Sequence, residues 1–486
     1  MKLKDLLKGI AVLECTADPE LKIENVHYDS RKVTPGSLFV AITGFASDGN
    51  RFIPMALAKG AAAVVTAKKP EGAVPYVLVE SDRLALAMLG CNFFGHPAKR
   101  MTMIGVTGTN GKTSTTLLLK QLLEKTLGAK VGLIGTMENM VGQERIPTER
   151  TTPESFELQA LFARMRDAGC THVVMEVSSH AVTLERIGGT HFRIAAFTNL
   201  TEDHLDFHKT MDAYCDAKAE LFRRCDRAVV NTDDSYSGRI LAAAGCPVLT
   251  TSVAGPGDLR AEGLELLSEG VSFTASCGEE TAQVHLPIPG RFTVYNALTV
   301  LGIAKQLGIP LAEAAEALKT ARGVKGRVEV VPTPEMPYSV LIDYAHTPDG
   351  LENVLSSVKD FCKGRLICVF GCGGDRDPMK RPIMGRIGVQ LSDLAIITSD
   401  NPRTEEPMAI IEDILKGVNP ELGEYIVMED RRAAIRYAMD IAKKDDIIVL
   451  AGKGHETYQE IHGVKHHLDE REEVADHLVE LRNRNG

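Results

Sequence analysis

The sequence predicts an α/β protein with three domains: a central parallel-sheet domain of the phosphate-loop type, a Rossmann-like C-terminal domain and a smaller α/β N-terminal domain. Short runs rich in Val, Ile and Ala end in Gly, Asn or Asp and are followed by helical patterns, which is typical of buried parallel strands. The length of 486 residues corresponds to about three domains of about 100–200 residues each. A glycine-rich turn between a strand and a helix marks the central domain.

Composition and charge exclude several classes of protein. The chain is 44% hydrophobic and 25% charged, with 55 basic and 65 acidic residues and a formal net charge of -10. This balance is too hydrophobic for disorder, and its acidity disfavours nucleic acid as a main partner. Charges interrupt the first ten residues, and no uncharged apolar run approaches the ~20 residues of a membrane-spanning helix. The ten cysteines are scattered, so we interpret them as reduced thiols and expect a cytoplasmic protein without a membrane span.

The N-terminal domain is predicted over residues 1–99. Its strands are short and apolar, and Gly95-His96-Pro97 closes a helical stretch and sets the boundary. The predicted elements are the strands Ser37–Thr43, Ala62–Thr66 and Tyr76–Val79 and the helix Leu84–Phe94.

The central and C-terminal domains are predicted over residues 100–326 and 327–486, with a break at Lys325-Gly326. In open parallel sheets the ligand crevice lies beyond the carboxyl ends of the strands, so polar residues at those ends are candidate functional residues. The predicted central elements are the strands Met101–Thr107, Thr171–Val177, Ile194–Leu200 and Arg227–Asn231 and the helix Val294–Leu307. The predicted C-terminal strands are Ser339–Tyr344, Leu366–Phe370, Leu394–Thr398 and Asp446–Leu450.

A phosphate-binding loop is predicted between the strand Met101–Thr107 and the helix Thr115–Lys125. Glycines allow the backbone to approach phosphates, the helix N-terminus presents N–H groups, Lys112 supplies a cation and the Thr113 hydroxyl can bind Mg²⁺. Val106 occupies the position of the first glycine of the strict motif. The candidate ATP-binding residues of the loop are Gly108, Thr109, Asn110, Gly111, Lys112, Thr113 and Ser114.

Three further residues are candidates for a metal centre near this loop. Glu176 ends a predicted strand, where its carboxylate can hold Mg²⁺ opposite Thr113. His204 follows the next strand, and Lys218 lies in a helical pattern. Taken alone, His204 would more often be a solvated loop histidine, and Lys218 would more often be an exposed lysine on an amphipathic helix.

Several segments together resemble the Mur ligase family, whose members are ATP-dependent enzymes that form amide bonds in peptidoglycan precursor synthesis. The matching segments occur in the family's order along nearly the whole chain. They are Thr-Gly-Thr-Asn-Gly-Lys-Thr (107–113), Met-Glu-Val-Ser-Ser-His (175–180), Thr-Asn-Leu-Thr-Glu-Asp-His-Leu-Asp-Phe-His (198–208), Tyr-Cys-Asp-Ala-Lys (214–218), Tyr-Asn-Ala (295–297), Gly-Arg-Val-Glu (326–329), Asp-Tyr-Ala-His-Thr-Pro (343–348) and Gly-Lys-Gly-His-Glu (452–456).

The resemblance implies roles for the catalytic and metal-binding candidates. Lys112 would offset charge on the transferred phosphoryl group, Thr113 and Glu176 would hold a first Mg²⁺, and His204 with Lys218 would hold a second. Lys218 would do so as a carbamate formed with CO₂, which requires a neutral amine and hence a lowered lysine pKa. The residues near the adenine and the domain junction would be Asn296 and Arg327; His346 would act near the nucleotide or be structural.

The resemblance also implies the substrates. Asp400-Asn401-Pro402-Arg403 resembles the motif of members that add meso-diaminopimelate, whose second carboxylate an arginine can bind through two parallel hydrogen bonds. The other diaminopimelate-binding candidates are Arg376, Gly452 and Glu456. The candidate residues for the UDP-sugar, UDP-MurNAc-L-Ala-D-Glu, are Ser30, Phe45, Ala46, Ser47, Thr151, Thr152, Ser178 and Arg186.

We therefore expect a monomeric ATP-dependent ligase that adds meso-diaminopimelate to UDP-MurNAc-L-Ala-D-Glu through an acyl phosphate. The same ligase with L-lysine as substrate is an alternative, as is a folate-polyglutamate type of ligase, although the UDP-sugar segments weigh against the latter. From a different class, a regulatory or transport ATPase would need only the phosphate loop. It would leave Lys218, His204 and Asp400-Asn401-Pro402-Arg403 without roles.

Overall fold

A computed structural model of the chain describes residues 1–44, 48–148 and 150–485. The chain forms two compact units. Unit 1 contains Met1–Leu259 and Thr299–Pro310, and unit 2 contains Arg260–Leu298 and Leu311–Gly486. Both units are built from parallel-rich sheets with helices, so the predicted α/β fold class is confirmed. Across the described ranges, no helix combines the length and the apolar character needed to cross a membrane.

The N-terminal part of unit 1 is a small sheet with helices against it. The strands lie in the order β1-β5-β4-β3-β2, parallel from β2 to β5, with β1 antiparallel at the edge. Their bounds are β1 (Val12–Cys15), β2 (Val26–His27), β3 (Leu38–Ala41), β4 (Ala63–Thr66) and β5 (Tyr76–Val79). The α-helices are α1 (Leu3–Leu6), α2 (Ile53–Ala58) and α3 (Asp82–Phe93), with 3₁₀ turns at Gly49–Phe52 and Pro97–Arg100.

The second sheet of unit 1 carries the phosphate loop on its central strand. Its order in this unit is β13-β12-β11-β6-β10-β7-β8-β9, parallel from β13 to β7. The strands are β6 (Thr102–Thr107), β7 (Val131–Ile134), β8 (Asn139–Val141), β9 (Glu144–Ile146), β10 (His172–Glu176), β11 (Phe192–Phe197), β12 (Cys225–Asn231) and β13 (Val248–Ser252). The helices are α4 (Lys112–Leu127), α5 (Ser155–Asp167), α6 (Ser179–Thr183), α7 (Leu205–His208), α8 (Met211–Ala219) and α9 (Ser237–Ala243), with a 3₁₀ turn at Glu220–Arg223.

Unit 2 begins with a small set of consecutive strands and continues into a Rossmann-like sheet. That sheet has the order β17-β18-β22-β19-β20-β21 and is parallel except for the edge strand β17. The strands are β14 (Leu259–Leu267), β15 (Gly270–Cys277), β16 (Glu280–Leu286), β17 (Glu329–Val331), β18 (Ser339–Asp343), β19 (Leu366–Phe370), β20 (Leu394–Ile397), β21 (Glu424–Val427), β22 (Ile447–Ala451), β23 (Tyr458–Ile461) and β24 (Val464–His467). The helices are α10 (Arg291–Gln306), whose second half returns to unit 1, α11 (Leu311–Leu318), α12 (Pro348–Lys359), α13 (Lys380–Leu391), α14 (Pro407–Leu415), α15 (Arg431–Ile441) and α16 (Glu470–Asn485).

The cores explain why the apolar runs became strands. Every residue of β19 and β22 is buried, because helices cover both faces of a parallel sheet and leave no face for polar residues. Apolar side chains of β18, β19 and β22 point alternately into two clusters, one on each face of the sheet. The polar residues that end these strands therefore lie together at one edge of the sheet, where the candidate sites are.

Candidate active site

The phosphate loop joins β6 to α4 through two glycines in unusual backbone conformations. Gly108 has φ of 151° and Gly111 has φ of 84°, both in a region that side chains disfavour. A Cβ atom on Gly108 would collide with the Thr198 hydroxyl and lie 3.0 Å from the Asn199 carbonyl oxygen. Gly111 immediately precedes Lys112, the first residue of α4. The loop therefore leads directly into a helix N-terminus, where free backbone N–H groups can bind phosphate.

The end of β11 braces this loop from the neighbouring strand. The Thr198 hydroxyl donates to the Asn110 carbonyl at 2.7 Å, and Asn110 N–H donates to the Asn199 side-chain oxygen at 2.9 Å. Thr109 N–H donates to the Asn199 carbonyl at 2.8 Å. Thr198 and Asn199 were absent from the predicted site residues, and their position at the end of a strand, directly after an apolar run, was the signal that could have identified them.

Two lysines converge on the carbonyl oxygen of Gly108. Lys112 Nζ donates to it at 2.9 Å and to the Thr109 carbonyl at 2.7 Å, and Lys218 Nζ donates to it at 2.8 Å. Lys218 is 1% exposed, so it is not the exposed helical lysine that the sequence alone allowed. Burial, followed by the nearby Lys112 charge, holds the pKa of Lys218 well below its usual value, and burial also lowers the pKa of Lys112.

Tyr214 connects Lys218 to the histidine candidate. The Lys218 ammonium lies 4.4 Å from the centre of the Tyr214 ring, and the Tyr214 hydroxyl is 3.3 Å from the Thr109 hydroxyl. The ring of His204 is 6.0 Å from that of Tyr214 and 4.8 Å from that of His180, measured between centres. His204 has φ of 53°, a sparsely populated conformation that is often found at functional sites.

Glu176 lies at the end of β10, which pairs directly with β6. Its carboxylate is 1% exposed and accepts hydrogen bonds from the N–H of Thr136 at 2.9 Å and from the Thr136 hydroxyl at 3.0 Å. Thr136 follows β7, and it is a further site residue that the sequence did not single out. Gly135 precedes it, and a Cβ there would collide with the Glu176 carboxylate. The Glu176 side chain is thus fixed in position by an adjacent strand end.

The donor set suits magnesium bound jointly with a nucleotide. Among the described residues, no group of three or more His, Cys, Asp and Glu side chains could hold a metal ion. Mg²⁺ is usually bound by one or two carboxylates together with substrate phosphates and waters, and Glu176 and the loop hydroxyl of Thr113 are oxygen donors of that kind. Lys218 offers no oxygen as an amine, so it would fit a metal only after modification.

The predicted contacts to the sugar and peptide part of the substrate form one network beside Glu176. The buried Thr152 hydroxyl donates to the Glu176 carbonyl at 2.8 Å and accepts from Ser178 N–H at 3.3 Å. The Thr151 hydroxyl lies 3.0 Å from that of Thr136, next to the same carboxylate. Ser178 also caps α6 by accepting from its backbone. The structure therefore brings these residues together with the magnesium candidate.

Arg186 joins this network through Thr152, whose carbonyl accepts from Arg186 Nη1 at 3.1 Å. Its guanidinium also pairs with Glu154 at 3.5 Å, and Glu154 pairs with Arg83 of α3 at 3.7 Å. Burial lowers the pKa of Arg186. Ser30, in the N-terminal sheet region, is buried and donates to Met55 Sδ at 3.4 Å. The predicted contacts Phe45, Ala46 and Ser47 lie outside the described residues.

In unit 2, the segment Asp400-Asn401-Pro402-Arg403 follows β20 and is buried up to Pro402. Arg403 has φ of 52° and donates from Nη1 to the Gly374 carbonyl at 2.6 Å. Its Nε lies 3.6 Å from the Glu460 carboxylate. Backbone bonds tie Arg403 to the β23–β24 hairpin, because Arg403 N–H donates to the Glu460 carbonyl at 3.0 Å and His462 N–H donates to the Arg403 carbonyl at 2.6 Å.

Gly452 and Glu456, which follow β22, lie against this segment. A Cβ on Gly452 would come within 2.7 Å of the Asp400 carboxylate, and Gly452 has φ of 118°, so glycine is required for the close approach. Asn401 Nδ2 donates to the Glu456 carboxylate at 2.8 Å. Lys453, which the sequence-based set omitted, is fully buried between these residues, and a lysine within a glycine-rich turn after a strand was the available signal.

The remaining candidates in unit 2 are less closely gathered. Arg376 is exposed, on the turn that precedes α13. Arg327 is exposed, with its guanidinium 5.4 Å from the centre of the Tyr344 ring, and the His346 ring is 4.5 Å from the same ring. Asn296 is buried in α10. Asn296 and Arg327 both belong to unit 2, whereas the phosphate loop belongs to unit 1.

Comparison with protein families gives three consecutive matches along the chain. Residues 22–93 match the model described as Mur ligase family, catalytic domain. Residues 106–304 match the Mur ligase middle domain, and residues 326–454 match the Mur ligase, glutamate ligase domain.

Curated relatives and a solved structure extend the similarity to almost the whole chain. The chain is 49% identical over 466 residues to a protein of Clostridium botulinum, covering 95% of this chain and 96% of that one. It is 47% identical over 487 residues to a protein of Clostridium tetani, covering 99% and 100%. Both are named UDP-N-acetylmuramoyl-L-alanyl-D-glutamate--2,6-diaminopimelate ligase. A solved structure of a ligase with that name matches with a TM-score of 0.79 at 31% identity, covering 99% of each chain.

Proposed function

The chain belongs to the Mur ligase family, and on that basis we propose that it joins meso-diaminopimelate to UDP-MurNAc-L-Ala-D-Glu at the expense of ATP. The product is an amide between the terminal D-glutamate carboxylate and one amine of diaminopimelate. We infer that this reaction belongs to cytoplasmic peptidoglycan precursor synthesis. The observation that carries the proposal is the near full-length similarity to relatives named for this reaction.

The three parts of the substrate set correspond to three segments of the chain. We assign the UDP-sugar to residues 1–99, ATP to residues 100–326 and diaminopimelate to residues 327–486. The three family models match residues 22–93, 106–304 and 326–454, which agrees with these segments to within one residue and supports the division.

In the first step, the D-glutamate carboxylate attacks the γ-phosphorus of ATP, which forms an acyl phosphate and releases ADP. Lys112 offsets the charge that develops on the transferred phosphoryl group, and the backbone N–H groups of the loop orient the phosphates. Magnesium, held by Thr113 and Glu176 and by His204 and modified Lys218, would supply further neutralisation of phosphate charge. The network of Thr152, Ser178 and Arg186 orients the acceptor peptide.

In the second step, the free amine of diaminopimelate attacks the acyl phosphate carbon and a tetrahedral intermediate collapses with loss of phosphate. The amine must be neutral to attack, so it loses its proton before or during the step. Arg403 binds the carboxylate at the far end of diaminopimelate through two parallel hydrogen bonds. L-Lysine lacks that carboxylate and would forgo these two hydrogen bonds to Arg403, which favours diaminopimelate over the lysine alternative.

Carbamylation of Lys218 by CO₂ is part of the same proposal. The neutral amine adds to carbon dioxide and loses one proton, so the side chain becomes an anionic oxygen ligand. The lowered pKa of the buried Lys218 supports it, since a neutral amine is the reactive form. In a Lys218→Ala variant, activity should recover in part when short carboxylates such as acetate are added. Absence of recovery, together with an unmodified lysine mass in the native protein, would contradict the carbamate.

The function is tested by phosphate release from Mg-ATP with UDP-MurNAc-L-Ala-D-Glu, in parallel assays with meso-diaminopimelate and L-lysine. We expect release only with diaminopimelate, and a large loss of it in Arg403→Ala. Release with Mg-ATP alone would instead identify a free-standing ATPase. Equal use of lysine would leave the ligase assignment intact and refute the role of Arg403. Arg164→Ala, which removes an exposed ion pair with Glu144 in unit 1, is the matched control.

A further inference from the structure

Lys453 is a fully buried lysine within the predicted diaminopimelate site. Its side chain is 0% exposed, and its ammonium lies 3.2 Å from the Asp400 carboxylate and 3.1 Å from the Asn401 side-chain oxygen. The same ammonium is 3.5 Å from the Glu456 carboxylate. Lys453 therefore contacts three residues of the predicted site on two separate chain segments.

The charges around Lys453 explain why a lysine is buried there. An ammonium group removed from water is costly unless it is paired and hydrogen-bonded, and Lys453 has a carboxylate on each side. Burial alone would raise the pKa of Asp400, but the attraction of Lys453 and Arg431 outweighs it and the pKa falls below its usual range. The Lys453 ammonium thus favours the ionised form of Asp400, and it also lies 3.5 Å from the Glu456 carboxylate.

The Lys453 ammonium also orients the side chain of Asn401. Its side-chain oxygen accepts from Lys453 at 3.1 Å and from Glu460 N–H at 2.9 Å, which leaves its amide nitrogen to donate to Glu456 at 2.8 Å. Loss of the ammonium would remove one donor to this oxygen and leave the Asp400 and Glu456 carboxylates to repel each other. The segment that carries Arg403 would then lose one of its links to the segment that carries Gly452 and Glu456.

We propose that Lys453 is a positioning residue that sets the distance between Arg403 and Glu456, and so selects an amino acid with a charged far end of defined size. The far end of diaminopimelate carries both a carboxylate and an ammonium, and it needs a cation and an anion held at a fixed separation. The inference rests on the proposed function, because it assigns Lys453 a role in the diaminopimelate site. Lys453 does not touch the reacting atoms, so its effect falls on the binding of diaminopimelate.

The test compares Lys453→Met with the wild-type enzyme in steady-state phosphate release, varying each substrate in turn. We expect KM for meso-diaminopimelate to rise by about tenfold or more, because one partner of a buried charge network is removed. KM for ATP and for UDP-MurNAc-L-Ala-D-Glu should change less than about twofold, since the residues proposed to bind these two substrates lie in other segments of the chain. The preference for meso-diaminopimelate over L-lysine, measured as the ratio of the two kcat/KM values, should fall as KM for meso-diaminopimelate rises. Lys453→Arg, which keeps the charge, should restore part of the preference.

Lys120→Met is the matched control, because Lys120 is also 1% exposed and pairs with a single carboxylate, Glu124, away from the candidate site residues. It should leave the diaminopimelate KM unchanged. A folded Lys453→Met with a wild-type diaminopimelate KM would overturn the inference, as would equal changes in all three KM values, which indicate a structural role only. If Lys453→Met does not fold, Lys453→Gln takes its place, and failure of both to fold also overturns the inference. A wild-type enzyme without diaminopimelate-dependent release would refute the proposed function itself.

Discussion

Substitution of Gly108 by alanine tests how the phosphate loop is held. The added methyl group has nowhere to go, because the Thr198 hydroxyl and the backbone of Asn199 already occupy its position. The φ of 151° adds a second penalty that applies to any L-residue. Gly128→Ala provides the matched comparison, since Gly128 also has positive φ, at 58°, but a Cβ there meets nothing within 4 Å.

The two penalties can be given magnitudes. Backbone strain in a disfavoured region costs about 1–3 kcal/mol and applies to both glycines. Only at Gly108 must the Thr198 hydroxyl also move, which breaks its 2.7 Å hydrogen bond to the Asn110 carbonyl. A lost intramolecular hydrogen bond costs about 0.5–1.5 kcal/mol, and an unsatisfied buried group costs about 1–3 kcal/mol. Gly108→Ala should therefore lower the free energy of unfolding by about 1–3 kcal/mol more than Gly128→Ala does.

Urea unfolding followed by circular dichroism measures the difference, and ATP-dependent phosphate release reports whether the loop still works. We expect Gly108→Ala to lose most activity and Gly128→Ala to retain it. The double variant Gly108→Ala with Thr198→Ala removes the hydroxyl that collides, so it should regain part of the lost stability. Equal stability of the two single variants would refute the reasoning that the contact with Thr198 is what requires glycine at position 108.

Three further perturbations test other parts of the structure. Burial raises the pKa of Tyr214 from 10.0 to about 12, so the folded state holds the phenolic proton more tightly than the unfolded state does. The stability that this proton contributes is therefore lost as the pH rises from 10 to about 12. Urea unfolding across that range should show a shallower loss of stability for Tyr214→Phe than for the wild type, and identical pH profiles would contradict the prediction. Glu176→Gln should raise the Mg²⁺ concentration needed for half-maximal activity. Because the buried carboxylate accepts two hydrogen bonds from Thr136, the change should also lower stability by about 1–3 kcal/mol, and an unchanged Mg²⁺ requirement would count against Glu176 as a ligand. Phe370→Ala should destabilise unit 2 by about 3–5 kcal/mol in urea unfolding because the ring is fully buried against Gly388, a cost that a surface residue would not show.

Much of the fold could be predicted from sequence because parallel strands are buried on both faces. The run Leu366–Phe370 was predicted with the bounds that the structure gives to β19, since an uninterrupted apolar run has few other solutions. By contrast, β8 and β9 have three residues each, too few for any periodicity to show. The hairpin of β15 and β16 does alternate, between buried and half-buried residues in β15 and between buried and exposed residues in β16, which is a pattern that predicts strands.

The residues of the candidate site also differ in how far local sequence predicts them. The phosphate loop was predictable because its residues are contiguous, and a strand, a glycine turn and a helix start suffice to recognise it. Thr136 and Thr198 were not singled out because their roles depend on which strands become neighbours of β6 and β10. Lys218 shows most clearly what local sequence does not predict. Its helical pattern alone is typical of an exposed lysine, whereas the folded chain buries it.

In the proposed amino-acid site, the attachment of Arg403 to the β23–β24 hairpin fixes the path of the main chain independently of the side chain at this position. Two of the hydrogen bonds that hold residue 403 in place, to the Glu460 carbonyl and from His462 N–H, use main-chain atoms only. They do not depend on which side chain residue 403 carries. A single codon change at this position can therefore replace the guanidinium while the path of the main chain persists. The choice of amino-acid donor is in this sense evolvable, because selection can act on one side chain without rebuilding the scaffold around it.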